Sequence, residues 1–137
     1  MGDIVKVAVL YIVDKKLLMC IKKGLEVLIT LGGKFEEKSD NSYESCARRE
    51  VPEETGCGVT NLKYYGTFRG SRVDEPNSKV ELVCYFGDLQ GTPRVQQGDS
   101  VVGFEWIDRN WEFNGYKLPQ TSQMAIDALI KDPKIDF

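Results

Sequence analysis

Three glutamates carry the densest chemistry in this sequence. Glu50, Glu53 and Glu54 lie in the run Arg49-Glu50-Val51-Pro52-Glu53-Glu54-Thr55-Gly56-Cys57. A helix advances about 100° per residue, so spacings of three and four residues bring side chains onto one side of it. Measured from Tyr43, the apolar residues Cys46, Ala47 and Val51 fall roughly between −60° and +80°. Glu50, Glu53 and Glu54 fall roughly at −20°, −80° and +20°, inside or beside the same arc. The spacing therefore predicts three carboxylates on the face that a helix turns toward a core. Like charges so placed repel, and an unpartnered buried carboxylate is costly. A hard divalent cation removes both penalties, because Mg²⁺ takes an octahedron of carboxylate, carbonyl, water and phosphate oxygens. A solvated acidic patch at a helix end is the competing reading, and it leaves the shared apolar face unexplained.

The rest of the composition narrows the chemistry further. The chain contains no histidine, which excludes Ser-His-Asp, Cys-His and His-metal schemes within one chain. Cys20, Cys46, Cys57 and Cys84 show no zinc-ligand spacing, and Cys20 and Cys84 lie in apolar runs. Four reduced thiols are expected, as in an intracellular protein.

A strand-rich chain with two helices must hold the glutamates in place. Ile4–Val13, apolar on both faces, reads as one central strand, followed by a turn at Asp14-Lys15-Lys16. Further strands are expected over Leu17–Ile21, Leu25–Thr30, Asn61–Arg69, Lys79–Phe86 and Val101–Ile107. In Asn61–Arg69, Leu62, Tyr64 and Phe68 are expected on one face and Lys63, Tyr65, Thr67 and Arg69 on the other. In Lys79–Phe86, Val80, Leu82, Cys84 and Phe86 form one face. Gly91–Gly98 reads as a loop. Ser42–Thr55 reads as the glutamate helix, capped by Ser42 and stopped at Gly56. Thr121–Lys131 reads as a C-terminal helix packing through Met124, Ile126, Ala128, Leu129 and Ile130. Pro52, inside the first helix, removes a hydrogen bond, so a bend or a new turn is expected there.

At 137 residues, with 42% apolar and 28% charged residues, residues 1–137 are expected to form a single domain. The net charge of −3 argues against a nucleic-acid-coating protein. Ile4–Val13 lacks the flanks of a signal peptide and is too short to span a bilayer. Met1-Gly2 opens like a myristoylation site, but Lys6 stands where Ser or Thr is expected. A soluble cytoplasmic protein without membrane partners is the expectation.

The glutamate run, preceded by Gly32-Gly33-Lys34-Phe35-Glu36, resembles the Nudix box: Gly, five residues, Glu, seven residues, then Arg-Glu-apolar-any-Glu-Glu-any-Gly-apolar. Its second half matches at every specified position, with Cys57 taken as apolar. The first half departs: Asn41 stands where the family has Glu, and the loop from Gly33 is two residues longer. Asp40 and Glu44 are both candidates to replace that Glu. The resemblance implies an α+β fold of the Nudix type, an α/β/α sandwich around a mixed sheet. It implies Mg²⁺-dependent hydrolysis, with Mn²⁺ as a substitute, of a diphosphate linkage in a nucleoside diphosphate derivative. Water attacks phosphorus while Mg²⁺ neutralises the phosphate oxygens. The implied metal ligands are Glu50, Glu53, Glu54 and the Gly33 carbonyl, with Arg49 orienting Glu50 or Glu53 and Asp99 as a further acid from a late loop.

For the substrate, Lys34, Arg69 and Arg72 are candidate phosphate contacts, and Tyr11, Phe68, Tyr85 and Trp106 candidate base-stacking residues. The expected partner is a small nucleotide or nucleoside diphosphate derivative, with a homodimer as a candidate assembly. A non-catalytic nucleotide- or metabolite-binding domain on the same fold is the alternative. A diphosphate isomerase of isoprenoid metabolism fits less well, since that site uses histidine ligands.

Overall fold

The apolar N-terminal run lies at the centre of a seven-stranded sheet. In the computed structural model, which describes residues 3–137, β1 (Ile4–Leu10) pairs parallel with β6 (Lys79–Gln90) and antiparallel with β4 (Leu28–Lys34). The strands β2 (Ile12–Val13), β3 (Lys16–Lys22), β5 (Gly58–Ser71) and β7 (Val101–Ile107) complete it. The order is β2-β3-β4-β1-β6-β5, with β7 paired to β3. One helix covers each face: α1 (Tyr43–Thr55) and α2 (Gln120–Lys131). Alternation along β1 divides its apolar residues between them. Val7 and Val9 pack with Cys46, Ala47 and Val51 of α1, whereas Ala8 and Leu10 pack with Ile126 and Leu129 of α2. The result is the α/β/α sandwich, α+β in class.

Several boundaries move for identifiable reasons. The expected single strand Ile4–Val13 breaks at Tyr11, because β1 pairs with β4 and β6 while β2 turns back onto β3. Asp14 and Lys15, with φ of 52° and 64°, make the tight left-handed turn that suits a two-residue hairpin. The strand expected over Leu25–Thr30 runs instead from Leu28 to Lys34, continuing through two glycines that carry no apolar signal. Gly32 has φ +119°, and a Cβ there would overlap the Val7 carbonyl oxygen, so only glycine fits.

β5 is longer than Asn61–Arg69 and carries register shifts between Thr60 and Lys63 and between Tyr64 and Gly66. Those bulges overturn the expected face: Leu62 packs on the α1 side, while Tyr65 and Phe68 pack on the α2 side and Tyr64 is exposed. β6 extends past Phe86, and its even-numbered residues Leu82, Cys84 and Phe86 share the α2 side as expected. In α2, Met124 is exposed and Ala125 takes a core position instead.

α1 starts where its cap predicts. Ser42 Oγ accepts from Ser45 N and Ser45 Oγ accepts from Ser42 N, each at 3.0 Å, and Gly56 closes the helix in the left-handed conformation. The helix passes through Pro52 without starting a new turn. All four cysteines are free and buried. Among the described residues no helix is long and apolar enough to cross a membrane. The Met1-Gly2 reading falls outside the described residues.

Candidate functional site

Packing of Cys46, Ala47 and Val51 against the sheet fixes the rotation of α1, and two of the three acids Glu50, Glu53 and Glu54 follow that face inward. Glu54 is 3% exposed. Its Oε1 accepts the Gly32 backbone N–H at 2.9 Å, Lys22 Nζ lies 3.9 Å from Oε2, and the Cys20 thiol approaches Oε1 to 4.0 Å. Burial pushes its pKa up to about 8, against the pull of the Gly32 N–H and Lys22. Glu50 is half-buried and lies against Gly33, where a side chain would collide with its carboxylate. Burial raises the Glu50 pKa as well, and the hydrogen bond from Arg49 opposes that rise.

Glu53 departs from the expectation of three inward carboxylates. Its side chain is 57% exposed, and its nearest cation is Arg49 Nη1 at 3.9 Å. Its helical angle, at the edge of the apolar arc, leaves it on the rim of the site.

Arg49 ties the helix to the loop before it. Arg49 Nε donates to Asp40 Oδ1 at 2.9 Å, and Nη2 donates to Asp40 Oδ2 at 2.8 Å. Arg49 Nη1 donates to Glu50 Oε2 at 2.8 Å and Nη2 to the Lys34 carbonyl at 3.2 Å. Asp40 is buried, also accepts the Glu36 N–H at 2.8 Å, and is held at a pKa of about 2, chiefly by the Arg49 hydrogen bond. Of the two candidates for the missing loop glutamate, Asp40 therefore occupies the position beside Arg49. Asn41 is exposed.

Asp99 accepts the Val101 N–H at 3.1 Å, and its charge adds to the rise in the Glu54 pKa, so the late loop brings it toward the acids. Lys22 is the site residue that sequence reasoning missed. The signal was present in a lysine ending an apolar strand, but its approach to Glu54 depends on β3 and β4 lying side by side. Among the described residues, no three acidic or cysteine side chains form a ready-made metal cage. Two inward carboxylates, a nearby third acid and the Gly33 carbonyl are hard oxygen donors. That set fits a cation that keeps waters and substrate phosphates as its other ligands, as Mg²⁺ does.

The candidate phosphate contacts divide between two cavities. Lys34 and Arg69 line a groove of about 1080 Å³ on the α1 side, beneath the Phe35–Ser39 loop. Arg69 pairs there with Glu81 at 2.8 Å. Arg72 lines a separate cavity of about 150 Å³ on the α2 side and pairs with Asp74 and Glu75. The aromatics are also dispersed: Tyr11 contacts Trp106 with centroids 5.8 Å apart, Tyr85 contacts Tyr64, and Phe68 packs toward α2.

Residues 3–124 match the family model described as NUDIX domain. A comparison with curated protein sequences finds no match. Among solved structures, the fold is similar to a MutT NUDIX hydrolase from Burkholderia pseudomallei, with a TM-score of 0.74 at 17% identity, covering 93% of this chain and 98% of that one. It is similar to the Escherichia coli ORF135 protein, with a TM-score of 0.72 at 22% identity, covering 95% and 90%. A MutT protein from Methanosarcina mazei Go1 gives 0.72 at 19% identity, covering 96% and 97%.

Proposed function

The chain belongs to the NUDIX family of hydrolases, which act on phosphorus-containing anhydrides, and we propose that its reaction is Mg²⁺-dependent hydrolysis of a diphosphate linkage in a nucleoside diphosphate derivative. The observation that carries this reading is Glu54, an almost fully buried carboxylate beside Glu50, with Lys22 and the Gly32–Gly33 backbone around it. A carboxylate so buried is costly unless a cation or a proton accompanies it.

Members of the family generally use divalent metal ions and act on small nucleotide derivatives. In this chain Glu50, Glu54 and the Gly33 carbonyl would hold Mg²⁺, with Glu53 at the rim and Asp99 contributing from the late loop. The bound ion supplies neutralisation of phosphate oxygens and a lowered pKa for an attacking water. The protein's own contribution is positional. Arg49 fixes the Glu50 carboxylate through a charge-assisted hydrogen bond and is itself fixed by Asp40. Lys22 and Lys34 flank the Gly32–Gly33 segment and present cations to the substrate's phosphates. We read residues 1–137 as one domain, soluble and cytoplasmic, with a small molecule as partner.

The test is a screen of nucleoside diphosphate derivatives with and without Mg²⁺, with products identified by phosphorus NMR. The expected result is turnover that requires Mg²⁺ and yields a phosphate monoester on the nucleoside side. Tight ligand binding without turnover would instead favour the non-catalytic binding domain.

A further inference from the structure

The sheet has two long outer edges, and they differ in how they meet solvent. β5 carries two register shifts and the exposed charges of Lys63 and Arg69, features that discourage a further strand. β7 pairs with β3 on one side, and among the described residues no strand pairs with its other side. Its sequence, Val-Val-Gly-Phe-Glu-Trp-Ile, holds one charge, no lysine and no proline. Val102 and Trp106 are 51% and 38% exposed. The one irregularity of this strand lies at its start, opposite Ile21 and Lys22.

The ladder with β3 decides which backbone groups this edge offers. In an antiparallel strand the N–H and C=O of one residue point the same way, and those of the next residue point the other way. Leu18 N–H donates to the Tyr11 carbonyl at 3.1 Å, so Leu18 turns its backbone groups away from β7. Trp106 lies opposite Leu18, and Phe104 lies opposite Cys20 in the same phase. The N–H and C=O groups of Phe104 and Trp106 therefore point outward, while those of Gly103 and Glu105 bond to β3. Phe104 packs on the α1 side of the sheet, where Trp106 meets Tyr11.

We propose that β7 is the interface of a homodimer, in which the β7 strands of two copies pair antiparallel about a two-fold axis at Phe104 and join the two sheets into one. Phe104 is the midpoint of Val101–Ile107, so this register overlaps the whole strand. It pairs Phe104 with Phe104 of the second copy through two N–H···O bonds. It also sets Trp106 of each copy opposite Val102 of the other. Aromatic–aromatic and aromatic–β-branched pairs are favourable across strands. Charge selects this register over its neighbour. An axis at Glu105 would oppose two like charges directly, whereas the axis at Phe104 sets each Glu105 opposite an uncharged Gly103. The contact uses the same patch on both copies and is closed, so no third copy can add to it. One edge strand buries less than the roughly 800 Å² per partner of a standard stable interface, so dimerisation is expected in the micromolar range. The proposal is independent of the hydrolase reading.

The test is sedimentation velocity of the wild type, Gly103→Lys and Gly103→Glu over a wide range of protein concentration. The wild type should shift from the mass of one chain to that of two as concentration rises. Gly103→Lys sets a lysine opposite Glu105 of the other copy at two symmetric points, and should lower the dimer Kd by about threefold to tenfold. Gly103→Glu sets like charges there and should raise it by a similar factor. Both effects should shrink at high salt. A Cβ at Gly103 meets only Ile21, at 3.4 Å and beyond, so both variants should keep the melting temperature of the wild type to within a few degrees at low concentration. Hydrogen exchange supplies a second readout without any substitution. The amides of Phe104 and Trp106 should gain protection as concentration rises, whereas those of Gly103 and Glu105 should be protected throughout. The mass of one chain at every concentration would overturn the proposal. So would a dimer that the two Gly103 variants do not shift in opposite directions, or one that leaves the Phe104 and Trp106 amides unprotected, since either result places the contact elsewhere.

Discussion

Arg49 and Asp40 face each other through two parallel hydrogen bonds, Nε to Oδ1 at 2.9 Å and Nη2 to Oδ2 at 2.8 Å. This planar pairing fixes the guanidinium, whose remaining nitrogen, Nη1, donates to Glu50. One loop carboxylate thereby sets, through Arg49, the orientation of a helical carboxylate ten residues further along the chain.

Asp40→Asn should therefore lower activity by about 10- to 100-fold through misplacement of Glu50, with Mg²⁺ affinity falling alongside. It should also destabilise the fold by about 2 kcal/mol, the scale of a lost hydrogen bond to a charged group. Glu44→Gln should change neither. Asn41→Glu should leave activity unchanged or raise it modestly, because Arg49 is already paired. Steady-state kinetics and melting curves on the three variants check this, and a strong loss in Asn41→Glu would sink it.

The same pair predicts an acid limb of stability. The folded-state pKa of Asp40 is about 2, below the ordinary value of 3.8, so its contribution is fully present above pH 4. That contribution is lost as pH falls toward 2. Acid denaturation of Asp40→Asn should lack this component, which would appear as a shallower fall in melting temperature between pH 4 and 2.

Glu54 runs in the opposite direction. Its pKa is raised by burial from 4.5 to about 8, so between those values the folded protein binds a proton that the unfolded chain has released. Metal-free stability should therefore fall as pH rises through that window, by about 1.4 kcal/mol per pH unit for one proton. Glu54→Gln should abolish the slope and also abolish Mg²⁺-dependent hydrolysis, with a loss of at least about 10²-fold. Equal slopes in the two proteins would show that Glu54 is ionised throughout.

Much of this site was legible because it is local. The inward face of α1 follows from 3.6-residue periodicity, and Ser42 and Gly56 mark its ends as they would in any helix. What could not be read depends on which strands lie side by side. Lys22 meets Glu54 only because β3 pairs with β4, and Gly32 must be glycine only because Val7 of β1 lies against it. Glu53 misled because its helical angle lies at a boundary, where packing and not periodicity decides exposure. In β5, two bulges reversed the alternation, and bulges leave no mark in a pattern of apolar and polar residues.

Gly33 offers a steric test of the helix–strand contact. A Cβ at this position would collide with the Glu50 carboxylate. Gly33→Ala should therefore displace Glu50 while leaving the backbone unstrained, since no left-handed φ is required there. Activity should fall by more than tenfold, with a melting temperature within a few degrees of the wild type. Gly32→Ala, by contrast, should destabilise the whole sheet, because its Cβ would strike backbone and its φ is +119°. Comparable unfolding in both variants would count against the distinction.

The last prediction separates a metal site from an acidic patch. Glu50 and Glu54 are drawn inward by packing, and the Glu50 charge contributes to the raised pKa of Glu54. A cation that binds only the folded state stabilises it by RT ln(1 + [L]/Kd), about 2.7 kcal/mol at a hundredfold excess over Kd. For a domain of this size that is a rise of several degrees in melting temperature. Mg²⁺ or Mn²⁺ should give that rise in the wild type, and more strongly above pH 8, where metal no longer competes with the Glu54 proton. The rise should largely vanish in a Glu50→Gln/Glu54→Gln double variant. Without metal and above pH 8, that variant should be at least as stable as the wild type, because a buried and a half-buried charge have been replaced by amides. Screening of surface charge would act equally through any salt at the same ionic strength. Equal shifts with NaCl and MgCl₂ at matched ionic strength would therefore reduce the cluster to a solvated acidic patch.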